Sequence, residues 1–277
     1  MRVLLGNVPA VVENFTMVPP CQALQHFDYI EIGTSSFDTL VQHKRYRSLR
    51  GLSVDPMLVH LRALPDRPLN TKVRVAIGPE PGYNSVYYVH PQDIIKYKLP
   101  HYLRGCNMVG SPHPIGLHAL RKGLEHLMRR DEIRIVTLPE LFRAFCVGTV
   151  GYFKVDTEGF DTFIMESLLE ALARRAIPPP TRVLYESNWL DPARQQAMQE
   201  INRRMVVEHR YTYTWDRSSR GGKGLLQPVG GPTKASIARY CQRVKGSAKV
   251  HCWNHEFRAA EQDGRKRHAP SLAPAES

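Results

Sequence analysis

The sequence predicts an α/β domain with a mainly parallel central sheet flanked by helices. Short apolar runs of strand length alternate with amphipathic stretches of helix length. The first two runs end on or just beyond a carboxylate, at Glu31 and Asp55. The composition, 42% hydrophobic and 23% charged over 277 residues, is that of a chain able to bury a core. It excludes a wholly disordered, collagen-like or coiled-coil protein. No run approaches the roughly 20 apolar residues that span a bilayer, and Asn7 and Pro9 interrupt the opening segment too early for a signal peptide. A soluble, cytoplasmic protein without a transmembrane segment is therefore expected.

The elements follow in order. Tyr29 to Gly33 is a buried-strand run closed by a glycine turn, and Leu52 to Asp55 is a second, stopped by Pro56. Lys72 to Gly78 is a third. From Pro79 to Arg130 the periodicity weakens and tyrosines collect among prolines and glycines, which reads as a long substrate-wall or lid insertion. Ile133 to Leu138 restores a strand, with a short helix starting near Pro139. Val150 to Asp156 is the next strand, and Thr157 to Gly159 its turn. A helix is expected over Asp161 to Ala176, with Phe163, Ile164, Leu168 and Leu172 on one core-facing side. Thr181 to Glu186 is a strand, Asp191 and Pro192 start a helix running to about Met205, and Tyr211 to Trp215 is a last strand. This gives a domain over residues 1–216, with 79–130 as its insertion, and a basic, largely disordered tail over 217–277.

The tail carries much of the charge. Lys and Arg number 38 against 26 Asp and Glu, and twelve of the basic residues but only four of the acidic ones lie from Arg217 onward. Such a segment has salt-sensitive, sequence-independent affinity for polyanions. A short helix is expected around Ala235 to Val244. Cys241, His251, Cys252 and His255 lack the spacing of a zinc knuckle, and Gly264 to His268 is a short basic run. The five cysteines form no C-x-x-C pair and are odd in number, so reduced thiols are expected.

Two constellations carry chemistry. In open α/β sheets ligands bind beyond the carboxyl ends of the strands, where a glycine admits close backbone approach and an acid after the second strand holds two ribose hydroxyls. Gly33 and Asp55 have that placement. A full G-x-G-x-x-G is absent, which disfavours a pyrophosphate and leaves a nucleoside cofactor without phosphates. The second constellation is Lys154, Asp156 and Glu158: three ionisable groups in five residues at a strand end, costly unless they pair or bind something. The alternatives are a site or a structural Lys154 to Asp156 ion pair.

Glu31-Ile-Gly33, Val54-Asp55-Pro56, Val75 to Gly78, Val136 to Leu141 and above all Phe153-Lys-Val-Asp-Thr-Glu-Gly-Phe-Asp161 resemble the FkbM-type S-adenosylmethionine-dependent methyltransferases over roughly residues 27 to 215. The resemblance implies a class I Rossmann-like fold. It also implies methyl transfer to a hydroxyl of a sugar or other small metabolite, so the partner is a small-molecule or glycan acceptor. It places Glu31, Gly33, Thr34 and Ser35 beside the methionine part and ribose of the cofactor, Asp55 on the ribose hydroxyls, and Ala76 and Ile77 near the adenine. Asp156 would be the base or its orienting group, with Lys154, Glu158 and Glu186 around the reaction centre. No resident metal is expected; a divalent cation held by Asp156, Glu158 and Glu186 is the lesser alternative. The first loop lacks the family's second glycine, and Pro139 replaces its aspartate. The alternative function is a catalytically degenerate protein of this fold that binds nucleic acid or another anionic partner through its tail.

Overall fold

A computed structural model describes residues 11–13, 21–35, 39–112, 116, 120, 123–157, 160–186, 192–216 and 254–259. The helix expected at 235–244, the positions 241, 251 and 252, and the basic run 264–268 lie outside the described residues. The central sheet is built on β1 (Gln25–Ile32), β2 (Gly51–Val54), β3 (Asn70–Val73), β8 (Val147–Val155) and β9 (Arg182–Glu186), all parallel. β10 (Tyr211–Asp216) and β11 (Asn254–Ala259) complete it in the order β10-β11-β9-β8-β1-β2-β3. β11 is antiparallel to both neighbours. The expected α/β architecture is thus present as a mostly parallel sheet flanked by helices. A strand at 254–259 had no counterpart in the sequence reading.

Parallel strands covered on both faces read as continuous apolar runs, and β2 is buried at every position. On one face pack α3 (Leu138–Ala144), α4 (Asp161–Ala173) and α5 (Pro192–Val207). α4 buries Ile164, Met165, Leu168, Leu169 and Leu172, a three-to-four-residue spacing that turns one stripe onto the sheet. Burying each such side chain contributes about 1.5–3 kcal/mol. α3 starts where the sequence places it: Thr137 and Glu140 form a reciprocal capping box with Pro139 in the first turn. The opposite face is covered by two short 3-10 turns and α1 (Leu58–Ala63), through Leu40, Val41, Tyr46 and Leu61. There the Tyr29 hydroxyl donates to Asn70 Oδ1 at 2.8 Å. Gly51 makes room for the Tyr29 ring, since a Cβ at Gly51 would lie 2.0 Å from it.

Three expectations are corrected. The run Lys72 to Gly78 is not one strand: β3 ends at Val73, and β4 (Ala76–Ile77) leaves the central sheet to pair with β7 (Met128–Val136). The insertion is not mainly loop. β5 (Gly82–Val89) runs antiparallel to β7 and pairs with β6 (Met108–Val109), giving a second sheet in the order β4-β7-β5-β6, with α2 (Pro91–Lys96) following β5. Finally, Cys21 and Cys146 are joined in a disulfide across 125 residues, while Cys106 is buried and takes no part in a disulfide. The bond ties the segment before β1 to the turn between α3 and β8. No helix among the described residues is long and apolar enough to cross a membrane.

Candidate functional site

The carboxyl ends of β1, β2 and β8 are laced together by backbone. Gly33 N–H donates to Val54 O at 2.8 Å, and Asp156 N–H donates to Ile32 O at 2.9 Å. This closeness explains the glycine: Gly33 has φ +79°, and a Cβ there would stand 1.8 Å from the Asp156 carbonyl oxygen. Ser35 also adopts a positive φ, 51°. That conformation aims its N–H at Asp55 Oδ2, at 2.8 Å, while Met57 N–H donates to Asp55 Oδ1 at 2.7 Å. Two backbone donors therefore fix the carboxylate just past β2.

Above these strand ends lies a cavity of about 450 Å³. Gly33, Ser35, Asp55, Ala76, Ile77 and Asp156 all line it, so six of the residues singled out from the sequence share one wall. Ser35 Oγ is buried and meets no hydrogen-bond partner among the described residues. The second sheet and the turn before β6 close the other side with Glu80, Asn84, Asn107 and Met108.

Glu31 and Lys154 stand behind the wall and do not line it. Glu31 is wholly buried; its Oε2 accepts from Thr39 Oγ1 at 2.9 Å and from Leu40 N–H at 2.8 Å. Lys154 Nζ lies 3.0 Å from Glu31 Oε1 and 3.3 Å from Asp156 Oδ2. Burial pushes the Glu31 carboxyl above its ordinary range, against the opposing pull of Lys154. The ion pair weighed for Lys154 and Asp156 is present and extends to Glu31. Thr34 is buried and does not touch the cavity, and its Oγ1 has no partner among the described residues. Glu158 lies outside the described residues, and of Glu186 only the backbone is described, at the end of β9.

Sequence reasoning missed the aromatic part of the site. Phe163 was expected in the core, but it is 41% exposed and lines the cavity together with Phe160. The helical period cannot separate it from Ile164, because neighbouring positions differ by only about 100° and the stripe is wide. Glu80, Asn84 and Asn107 carried no readable signal, since the second sheet that places them was not foreseen. No family model, curated protein or solved structure matches the chain.

Proposed function

We propose that the chain is an S-adenosylmethionine-dependent O-methyltransferase of FkbM type, acting on a hydroxyl of a sugar or other small metabolite. The observation that carries this reading is the shared cavity: an acid anchored past β2 and an acid past β8 face one space at the carboxyl ends of a parallel sheet. A reversed strand between β9 and β10 is also the arrangement of class I methyltransferases, which supports the finer fold reading.

The residues present fit the cofactor. Asp55 offers carboxylate oxygens to a ribose diol, Val75, Ala76 and Ile77 offer an apolar strip to a purine, and Ser35 Oγ is a buried hydroxyl awaiting a partner. The volume lies in the range of small-ligand sites. When bound, S-adenosylmethionine supplies an electrophilic methyl group on a sulfonium sulfur. Asp156 lines the cavity and accepts the acceptor's hydroxyl proton. Lys154 holds Oδ2 of that carboxylate from behind, which orients it. Its absence from the wall favours this positioning role over contact with a developing oxyanion. The strand ends contribute rigidity, and much of the rate comes from holding acceptor and methyl donor in line.

The expected cytoplasmic location draws no support from the cysteines, because a disulfide such as Cys21–Cys146 persists in oxidising compartments. Transfer of a labelled methyl group to methyl pyranosides tests the reaction. Asp156→Asn is expected to lower turnover about 100-fold or more; wild-type turnover in the variant removes Asp156 from the role of base.

A further inference from the structure

The wall of the cavity contains a feature that neither the core nor a nucleoside requires. Phe163 sits in the first turn of α4, a helix whose other large apolar side chains are buried, yet the residue is 41% exposed and lines the cavity. Phe160 lies beside it, with ring centroids 6.4 Å apart and planes at 51°. Thr157, just past β8, is tied to the start of α4. Thr157 N–H and Oγ1 both donate to the carboxylate of the buried Asp161. The aromatic pair is thereby held a few residues downstream of Asp156, on the same wall. Water-exposed phenyl surface is unfavourable, and a ligand with an apolar face recovers that free energy on binding.

The wall from the insertion has complementary chemistry. Asn84 lines the cavity, and its Oδ1 is engaged by Ser85 N–H, which leaves its amide N–H groups without a partner among the described residues. Asn107 Nδ2 donates to Gly105 O at 3.4 Å, which leaves its Oδ1. The two side chains thus offer a donor and an acceptor, with Glu80 a further acceptor. A phenol has an apolar face but an edge poor in hydrogen-bonding groups; an open-chain polyol has the groups without the face. A pyranose ring has both.

Resting on the methyltransferase reading, we propose that Phe163, backed by Phe160, is the platform for the C–H face of a pyranoside acceptor. Asn84 and Asn107 address its edge hydroxyls, and Phe163 is the residue that sets acceptor specificity. The proposal assigns Phe163 to the acceptor and not to the cofactor, so the two sites respond separately to substitution.

The test is saturation-transfer NMR on the full chain loaded with S-adenosylhomocysteine. The probes are methyl α-D-glucopyranoside, methyl α-D-mannopyranoside and methyl β-D-galactopyranoside, with catechol and glycerol as controls. The expected result is transfer to the ring C–H protons of at least one pyranoside, exceeding that to either control. Phe163→Ala should weaken that probe about fivefold to tenfold, and Phe163→Trp should retain it. Calorimetric affinity for S-adenosylhomocysteine should be unchanged in both variants. The proposal is overturned by no transfer to any pyranoside in loaded wild type, by preference for catechol or glycerol, or by equal probe affinity in Phe163→Ala. Loss of S-adenosylhomocysteine affinity in Phe163→Ala also overturns it, by assigning the ring to the cofactor. Failure of folded wild type to bind S-adenosylhomocysteine is a different result: it removes the underlying methyltransferase reading and the proposal with it.

Discussion

The Lys154 ammonium stands 3.0 Å from Oε1 of Glu31, a carboxylate with no exposed surface, across the paired strands β8 and β1. Taking both charges out of water is costly, and the pair offsets that cost only because Thr39 and Leu40 donate to the other Glu31 oxygen. The two residues therefore act as a unit, and through the same ammonium they reach Asp156 on the cavity wall.

Removing one member should be worse than removing both. Lys154→Met leaves an uncompensated buried carboxylate and is expected to cost about 3–5 kcal/mol of unfolding free energy. Lys154→Met with Glu31→Gln should recover part of that loss. Urea titrations of the three proteins check this; equal stability of wild type and Lys154→Met contradicts it.

The raised Glu31 carboxyl has a definite pH consequence. Folded protein holds this proton at pH values where the unfolded chain, titrating near 4.5, has already lost it. The unfolded state then binds fewer protons, so this group makes stability fall as pH rises from about 4.5 through the folded-state value. Glu31→Gln removes that dependence. The unfolding free energy of wild type relative to Glu31→Gln should decline with rising pH across this window, whatever the offset between them. A flat difference contradicts the burial argument.

Gly33 is held by its positive φ and by the backbone of Asp156. Gly33→Ala is expected to destabilise by at least about 2 kcal/mol and to displace the end of β8. Thermal unfolding and ligand titration read the two effects. An alanine tolerated without change in either would mean that the strand ends are not packed as described.

Legibility followed how local each signal was. Asp55 and Pro56 announced the end of β2 because acid and strand stop are adjacent in sequence, and Gly33 announced a turn because φ is a local property. The split between β3 and β4 was hidden: Val73, Val75 and Ile77 alternate without interruption, and only the partner strand β7 reveals the change of sheet. β5 was hidden for a related reason. Tyr83, Ser85 and Tyr87 alternate with Asn84, Val86 and Tyr88, so neither face reads as clearly apolar, and its longer partner β7 begins 39 residues after its end. Cysteine spacing alone cannot pair Cys21 with Cys146, because the contact is made by the fold.

The disulfide closes a loop with a sequence separation of 125 residues. Chain-entropy arguments give it a contribution of up to about 5 kcal/mol. Reduction should lower the unfolding free energy toward that extent, and thiol counting on oxidised protein should find Cys21 and Cys146 unreactive. Because the bond lies away from the cavity-lining residues, ligand affinity of the still-folded reduced protein should not change. Loss of affinity without unfolding contradicts a purely structural bond.

The proposed nucleoside site is formed by Asp55 and its neighbours. Calorimetric titration of the full chain with S-adenosylmethionine and S-adenosylhomocysteine, repeated on Asp55→Asn and Asp55→Ala, tests it most directly. Circular dichroism establishes that each variant is folded. Wild type should bind saturably, one to one, and both variants should lose about tenfold or more in affinity. No binding by folded wild type, or equal binding by the variants, contradicts it.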